Sequence, residues 1–142
     1  MNNKKRILFL CTTNSCRSQI AEGIVTYFYG DLFHVESAGS KITAVNPLAI
    51  KVMAEIGVDI SKQRSKLVTE FAGQEFDYVI TLCGGDSKTT CPVFLGKAKQ
   101  ELHWDFIDPA EAKGSEKEIL DVFRKVRDEI KSKISQFVEQ LN

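Results

Sequence analysis

Ile7-Leu8-Phe9-Leu10-Cys11-Thr12-Thr13-Asn14-Ser15-Cys16-Arg17-Ser18 joins an apolar run to a helical pattern through a short polar loop bounded by a cysteine and an arginine. Residues 6–10 read as a buried parallel strand. Over residues 17–28, Ile20, Ile24, Tyr27 and Phe28 fall on one helical face, and Gly30 stops the segment. A tight turn between a strand and a helix aims its backbone N–H groups inward, and the helix N-terminus adds its dipole. The arginine closes that ring with a guanidinium able to hold two oxygens in a bidentate fork. Cysteine attacks as the thiolate, and its ordinary pKa of ~8.5 falls to ~3.5–7.5 beside a cation or at a helix N-terminus. Thr12, Thr13, Asn14, Ser15, Cys16 and Arg17 are therefore candidate oxyanion-binding residues, with a tetrahedral oxyanion seated above the sulfur of Cys11.

Further along, strands alternate with helices. Residues 33–37 form a second short strand, and Ala38-Gly39-Ser40 turns the chain after it. Asn46-Pro47 starts a helix, with Asn as N-cap and Pro in the first position, and Gly57 ends it. Residues 76–82 are the strongest later strand, followed by a loop rich in Gly, Asp, Ser, Lys and Thr, and residues 101–106 are a weaker one. Ser115 and Glu118 form a capping box, after which Ile119, Phe123, Val126, Ile130, Ile134, Phe137 and Leu141 recur every three or four residues. This alternation predicts an α/β fold, its parallel sheet covered on both faces by right-handed crossovers. Ligands of such sheets bind beyond the carboxyl ends of the strands, where strand order switches. The cysteine loop, the loop after the third strand and the Asp108-Pro109 step after the fourth are all expected on that rim.

At 142 residues, 43% hydrophobic and 27% charged, the composition fits one globular domain over residues 1–142. Nineteen Lys and Arg balance nineteen Asp and Glu, so no overall field draws nucleic acid or an acidic membrane surface. The basic N-terminus is followed by an apolar stretch too short for a signal peptide, and no run approaches the ~20 apolar residues of a membrane span. A cytoplasmic location is expected, where thiols stay reduced. The four cysteines are then catalytic, metal-binding or inert rather than structural disulfides. Their spacings of five and eight within each pair lack the Cys-x2-Cys pairs of structural zinc, so neither a metal nor a cofactor is expected.

The chain resembles the low-molecular-weight protein tyrosine phosphatase fold and, within it, the thioredoxin-coupled arsenate reductases. The residues that carry the likeness are residues 11–19, Ala21-Glu22-Gly23, Ser37-Ala38-Gly39, Asn46-Pro47, residues 57–61, residues 79–83, Cys91-Pro92, His103-Trp104 and Asp108-Pro109-Ala110. A lone Cys-x5-Arg is a weak signal; a downstream Asp-Pro and two further cysteines make it specific. The resemblance covers nearly the whole chain and implies a three-layer sandwich with a four-stranded parallel sheet in the order 2-1-3-4, low-molecular-weight phosphatase-like.

It also implies a mechanism. Cys11 attacks the arsenic of arsenate while Arg17 and the loop hold its oxygens, and Asp108 protonates the departing hydroxyl. Ser18 hydrogen-bonds the nucleophile and helps hold it as thiolate. Cys83 then attacks Cys11 and arsenite leaves; Cys91 displaces Cys11, and thioredoxin reduces the resulting Cys83–Cys91 disulfide once the segment 84–90 presents it. Phosphate and sulfate are the expected competing oxyanions, and a monomer is expected.

Three positions depart from relatives. Thr13 stands where many have Gly, and a positive φ there would strain a β-branched residue, so the peptide is expected to adapt. Some relatives bind potassium through residues matching Asn14, Glu22 and Ser37 plus an Asp; that Asp aligns with Lys66, whose ammonium can replace the ion. The interval from Cys83 to Cys91 is slightly long, which costs a flexible loop little.

Plainer roles stand beside these. Cys16 reads as a small buried thiol contributing only its backbone, His34 as a strand-edge residue, His103 as packing beside Trp104, and Asp108 before Pro as a turn starter. Two other functions compete. A phosphatase would form a phosphocysteine at Cys11, but it needs neither Cys83 nor Cys91, and phosphatase relatives usually carry Tyr where Ala110 stands. A redox sensor or oxyanion-binding module would oxidise Cys11 reversibly and make Asp108 superfluous.

Overall fold

The computed structural model describes residues 4–83 and 92–141, so Cys91 and the segment before it lie outside the described residues. The elements run β1 (Lys5–Leu10), α1 (Arg17–Tyr29), β2 (Phe33–Ala38), α2 (Pro47–Glu55), β3 (Glu75–Cys83), β4 (Lys97–Phe106) and α3 (Glu116–Gln140). The four strands form a parallel sheet in the order β2-β1-β3-β4, as expected from the resemblance.

β1 is central because Ile7, Leu8, Phe9 and Leu10 are at most 1% exposed, which only a strand covered on both faces achieves. The larger core cluster joins Ile7 and Phe9 of β1 and Ile80 and Leu82 of β3 to Ile20 and Ile24 of α1, Val52 and Met53 of α2, and Phe123, Val126, Ile130 and Ile134 of α3. Each fully buried side chain of this kind contributes about 1.5–3 kcal/mol. On the opposite face Leu8, Leu10, Phe76 and Val79 pack under Phe71 and Phe94. There the covering layer is a 3-10 turn (Val68–Phe71) and a loop rather than a long helix.

The helix signals read from sequence are in place. Asn46 accepts from the Leu48 N–H at 2.8 Å, Gly57 takes a positive φ of 81° just past α2, and Ser115 and Glu118 exchange the two bonds of a capping box. β4 begins at Lys97, four residues before the expected start, because Lys97, Lys99 and Gln100 sit exposed on an edge strand. Their backbone pairs with β3 without any apolar alternation to betray it.

Strand order fixes the site. The chain leaves β1 for β2 on one side and returns to β3 on the other, so the switch in direction falls at the carboxyl end of β1. Leu10 pairs with Ala38 and Thr81, and Cys83 with Phe106. Parallel register therefore brings Cys11, Gly39, Cys83 and the segment before Asp108 to one rim.

Candidate active site

Residues 11–17 wrap a concave loop whose carbonyl oxygens are engaged on its outer side. The Thr12 carbonyl accepts from the N–H and hydroxyl of Ser40, at 2.9 and 3.0 Å. Thr13 accepts from the hydroxyls of Thr43 and Ser65 at 3.1 and 3.2 Å. Asn14 accepts from the Gln19 amide at 3.1 Å, Ser15 from the Asn46 N–H at 3.0 Å, and Cys16 from Ile20 in the first turn of α1. Because a planar peptide points its N–H opposite its C=O, this outward anchoring turns the N–H groups toward the hollow of the loop. A positive φ does occur in the loop, but at Asn14 (51°) and not at Thr13. Asn tolerates the left-handed region better than a β-branched residue does, so Thr13 fits without the strain a glycine would have relieved.

Cys11 lies at the base, 1% exposed, with its Sγ 2.9 Å from the Ser18 hydroxyl. The Asn14 side chain donates to Ser18 at 2.6 Å and to Ser37 at 3.0 Å. Behind it, Ser37 donates to Glu22, and the Lys66 ammonium lies 3.3 Å from Glu22 and 3.4 Å from Glu36. The ammonium thus stands among the side chains matched to the cation site of some relatives.

Arg17 is 2% exposed and is held by the strands rather than by solvent. Its Nη1 donates to the carbonyls of Phe106 at 3.1 Å and Leu82 at 3.4 Å, so the ends of β3 and β4 set its position. Its Nη2 faces the Asp108 carboxylate at 3.8 Å. Among the described residues, Arg17 Nε is a buried side-chain donor left without a protein partner. An unsatisfied buried guanidinium nitrogen is costly unless an anion takes its hydrogen. Asp108 also starts a turn, accepting from the Ala110 N–H at 3.0 Å at the head of the Pro109–Glu111 3-10 turn. The turn role considered for it from sequence is therefore observed, and the same carboxylate stands beside Arg17.

The cysteines differ in state. Cys11 and Cys16 are free and buried, whereas Cys83 is disulfide-bonded. Cys83 Sγ lies 3.8 Å from the hydroxyl of Thr12, which places a second sulfur beside the residue that follows Cys11. Burial pushes the Cys16 thiol up to about 12, and the charges of Asp108 and Cys11 push the same way. Cys16 is thus a buried thiol in the wall of the loop. Burial also raises the Glu22 carboxyl, against the opposing pull of Lys66 and of the Ser37 hydrogen bond.

His103 does not pack on Trp104. It points to the other face of β4, between the Thr81 hydroxyl at 2.6 Å and the Asp105 carboxylate at 2.5 Å. His34, 59% exposed, lies on edge strand β2 near Glu36. Sequence reasoning left out Thr43 and Ser65, because they fall in irregular stretches where only the folded chain brings their hydroxyls to Thr13. Gly39 has a sharper reason to be there: a Cβ on it would lie 2.7–2.8 Å from the Cys11 and Thr12 carbonyl oxygens and the Asn14 nitrogen.

A family model for low molecular weight phosphotyrosine protein phosphatase matches residues 6–142. An arsenate reductase of Halalkalibacterium halodurans is 49% identical over 137 residues, which span 96% of this chain and 97% of that protein. Among solved structures, an arsenate reductase in the phosphate binding state is 33% identical with a TM-score of 0.81, over 97% of this chain and 99% of the other. A low molecular weight protein tyrosine phosphatase from T. tengcongensis is 25% identical with a TM-score of 0.72, over 96% and 99%.

Proposed function

Because this chain belongs to the low molecular weight phosphotyrosine protein phosphatase family, and its relatives include arsenate reductases, we propose that it reduces arsenate to arsenite through a relay of Cys11, Cys83 and Cys91. The observation that carries the reading is the Cys83 sulfur 3.8 Å from the Thr12 hydroxyl, at the lip of an oxyanion cradle. Hydrolysis of a phosphate ester has no use for a sulfur there.

In this reading the N–H groups of residues 13–17 and the Arg17 guanidinium hold arsenate. The Cys11 thiolate attacks arsenic, Asp108 gives its proton to a departing hydroxyl, and water leaves a sulfur–arsenic(V) adduct. Ser18 donates to the sulfur before attack. The Cys83 thiolate then attacks the Cys11 sulfur, a disulfide forms, and the sulfur–arsenic electron pair passes to arsenic. Arsenic(V) becomes arsenic(III) and departs as arsenite. Cys91 attacks Cys83 and releases Cys11, which leaves the two-electron oxidation on Cys83 and Cys91 for thioredoxin to reverse. The disulfide at Cys83 beside a free Cys11 fits the end of that sequence. Phosphate and sulfate, being tetrahedral oxyanions, compete for the same cradle.

The second reading, a phosphatase working through phosphocysteine, draws support from the Asp108–Arg17 pair and from the phosphatase relative of known structure. Ala110 speaks against it, since no aromatic side chain there grips a phenyl ring. The test is arsenate-dependent NADPH oxidation by the purified protein with thioredoxin and thioredoxin reductase. Multiple turnovers are expected. Turnover of aryl phosphate with no arsenate-dependent oxidation would transfer the assignment to the phosphatase reading.

A further inference from the structure

The register of β4 on β3 changes by one residue beside the site. Thr81 pairs with His103 but Cys83 with Phe106, so Trp104 and Asp105 together stand against Leu82. This is a β-bulge, a device that re-aims the residues following it. We propose that His103 is a positioning residue for the oxyanion cradle: by bridging Thr81 of β3 to Asp105 in the bulge, it fixes the strand ends that aim Arg17 and bring Asp108 beside it. This rests on the reading of the loop from Cys11 to Arg17 as an oxyanion cradle.

Arg17 takes its aim from the end of each strand. Its Nη1 donates to the Phe106 carbonyl at 3.1 Å and to the Leu82 carbonyl at 3.4 Å, one acceptor on either side of the bulged pairing. Its Nη2 lies 3.8 Å from Asp108, two residues after Phe106. Without the extra residue Cys83 would pair with Asp105, and Phe106 and Asp108 would each be carried one position, about 3.3 Å, further along the sheet. The Phe106 carbonyl would then no longer meet Nη1, and the carboxylate would pass the guanidinium.

Two sets of contacts hold the bulge. On the core side the buried Trp104 packs against Phe9 and Phe137, with ring centroids at 6.2 and 5.5 Å. On the other face the His103 ring spans from strand to bulge, with Nδ1 2.6 Å from the Thr81 hydroxyl and Nε2 2.5 Å from the Asp105 carboxylate. A carboxylate only accepts, so Nε2 carries a hydrogen. A neutral ring then accepts the Thr81 hydrogen at Nδ1. A protonated ring donates to Thr81, whose own hydrogen turns to the Leu102 carbonyl at 3.4 Å. The bridge survives in both forms. Asp105 is 63% exposed, and exposed pairs contribute little to global stability, so the bridge acts on the local path of the chain and not on the fold.

The experiment measures how well inorganic phosphate protects Cys11 from iodoacetamide in the reduced protein at neutral pH. Alkylation is read by peptide mass spectrometry, normalised to each variant's own rate without phosphate, and the thermal midpoint of each variant is measured alongside. His103→Phe is expected to raise the half-protecting phosphate concentration about fivefold, because a displacement of a fraction of an ångström spoils the grip of Arg17 on two oxygens. Thr81→Val and Asp105→Ala should do the same, and His103→Phe combined with Asp105→Ala no more, since each breaks one bridge. Asp105→Asn, whose amide oxygen still accepts from Nε2, should keep most of the wild-type protection, an outcome that loss of charge alone would not give. Wild-type protection in His103→Phe, or Asp105→Asn as impaired as Asp105→Ala, would overturn the proposal. Should His103→Phe not fold, wild-type protection in Thr81→Val and Asp105→Ala overturns it instead. Phosphate that fails to protect even the wild type would overturn the cradle reading, and the proposal with it.

Discussion

Asp108 faces Arg17 with one carboxylate oxygen at 3.8 Å and receives the Ala110 N–H on the other, so a single side chain both shapes the turn and looks into the cradle. Asp108→Asn separates the two tasks. The amide oxygen still accepts from Ala110, so the thermal midpoint should correspond to a change within about 1 kcal/mol. The proton donor is gone, and steady-state kinetics should show kcat reduced roughly 10²–10⁴-fold. Unchanged turnover would remove the general acid from the mechanism.

Cys16 should be silent where Cys11 reacts. Its thiol is pushed up to about 12, first by burial and then by the charges of Asp108 and Cys11, so it stays protonated through neutral pH. Alkylation of the native reduced protein at pH 7–8, read by peptide mapping, should label Cys11 and leave Cys16 unmodified. The same shift has a thermodynamic sign. The unfolded chain loses this proton near the ordinary value of 9.0 while the folded one keeps it to about 12, so Cys16 makes stability fall as pH rises across that window.

Gly39 makes the cradle possible by having no side chain. A methyl group in its place meets backbone on three sides at 2.7–2.8 Å, and backbone cannot rotate away. Gly39→Ala should destabilise the fold by about 1–3 kcal/mol in denaturant unfolding and weaken inhibition by phosphate, because the loop from Cys11 to Asn14 must shift to admit it. Wild-type phosphate inhibition in this variant would show that the loop tolerates the shift.

Much of this was readable in the chain, for identifiable reasons. Residues 7–10 and the stripe from Ile119 to Phe137 announce themselves because burial writes a period into sequence, and Asn46-Pro47 and Ser115 with Glu118 because caps have fixed chemistry. The start of β4 was hidden, since Lys97 and its neighbours pair through backbone on an exposed edge. The cradle was legible as far as Cys11, Arg17 and Ser18, which lie within eight residues. Its outer anchors were not: Thr43 and Ser65 reach Thr13 across thirty and fifty-two residues, a distance at which spacing carries no signal. The side-chain direction of His103 depends on the register of β3 against β4, which sequence alone does not state.

The most direct test of the relay is Cys83→Ser, assayed for arsenate reduction with thioredoxin and for p-nitrophenyl phosphate hydrolysis on the same preparation. Arsenate turnover should vanish while any phosphate ester hydrolysis at Cys11 survives, since only reduction needs the second sulfur. Equal loss of both activities, or arsenate turnover undiminished, would contradict the account.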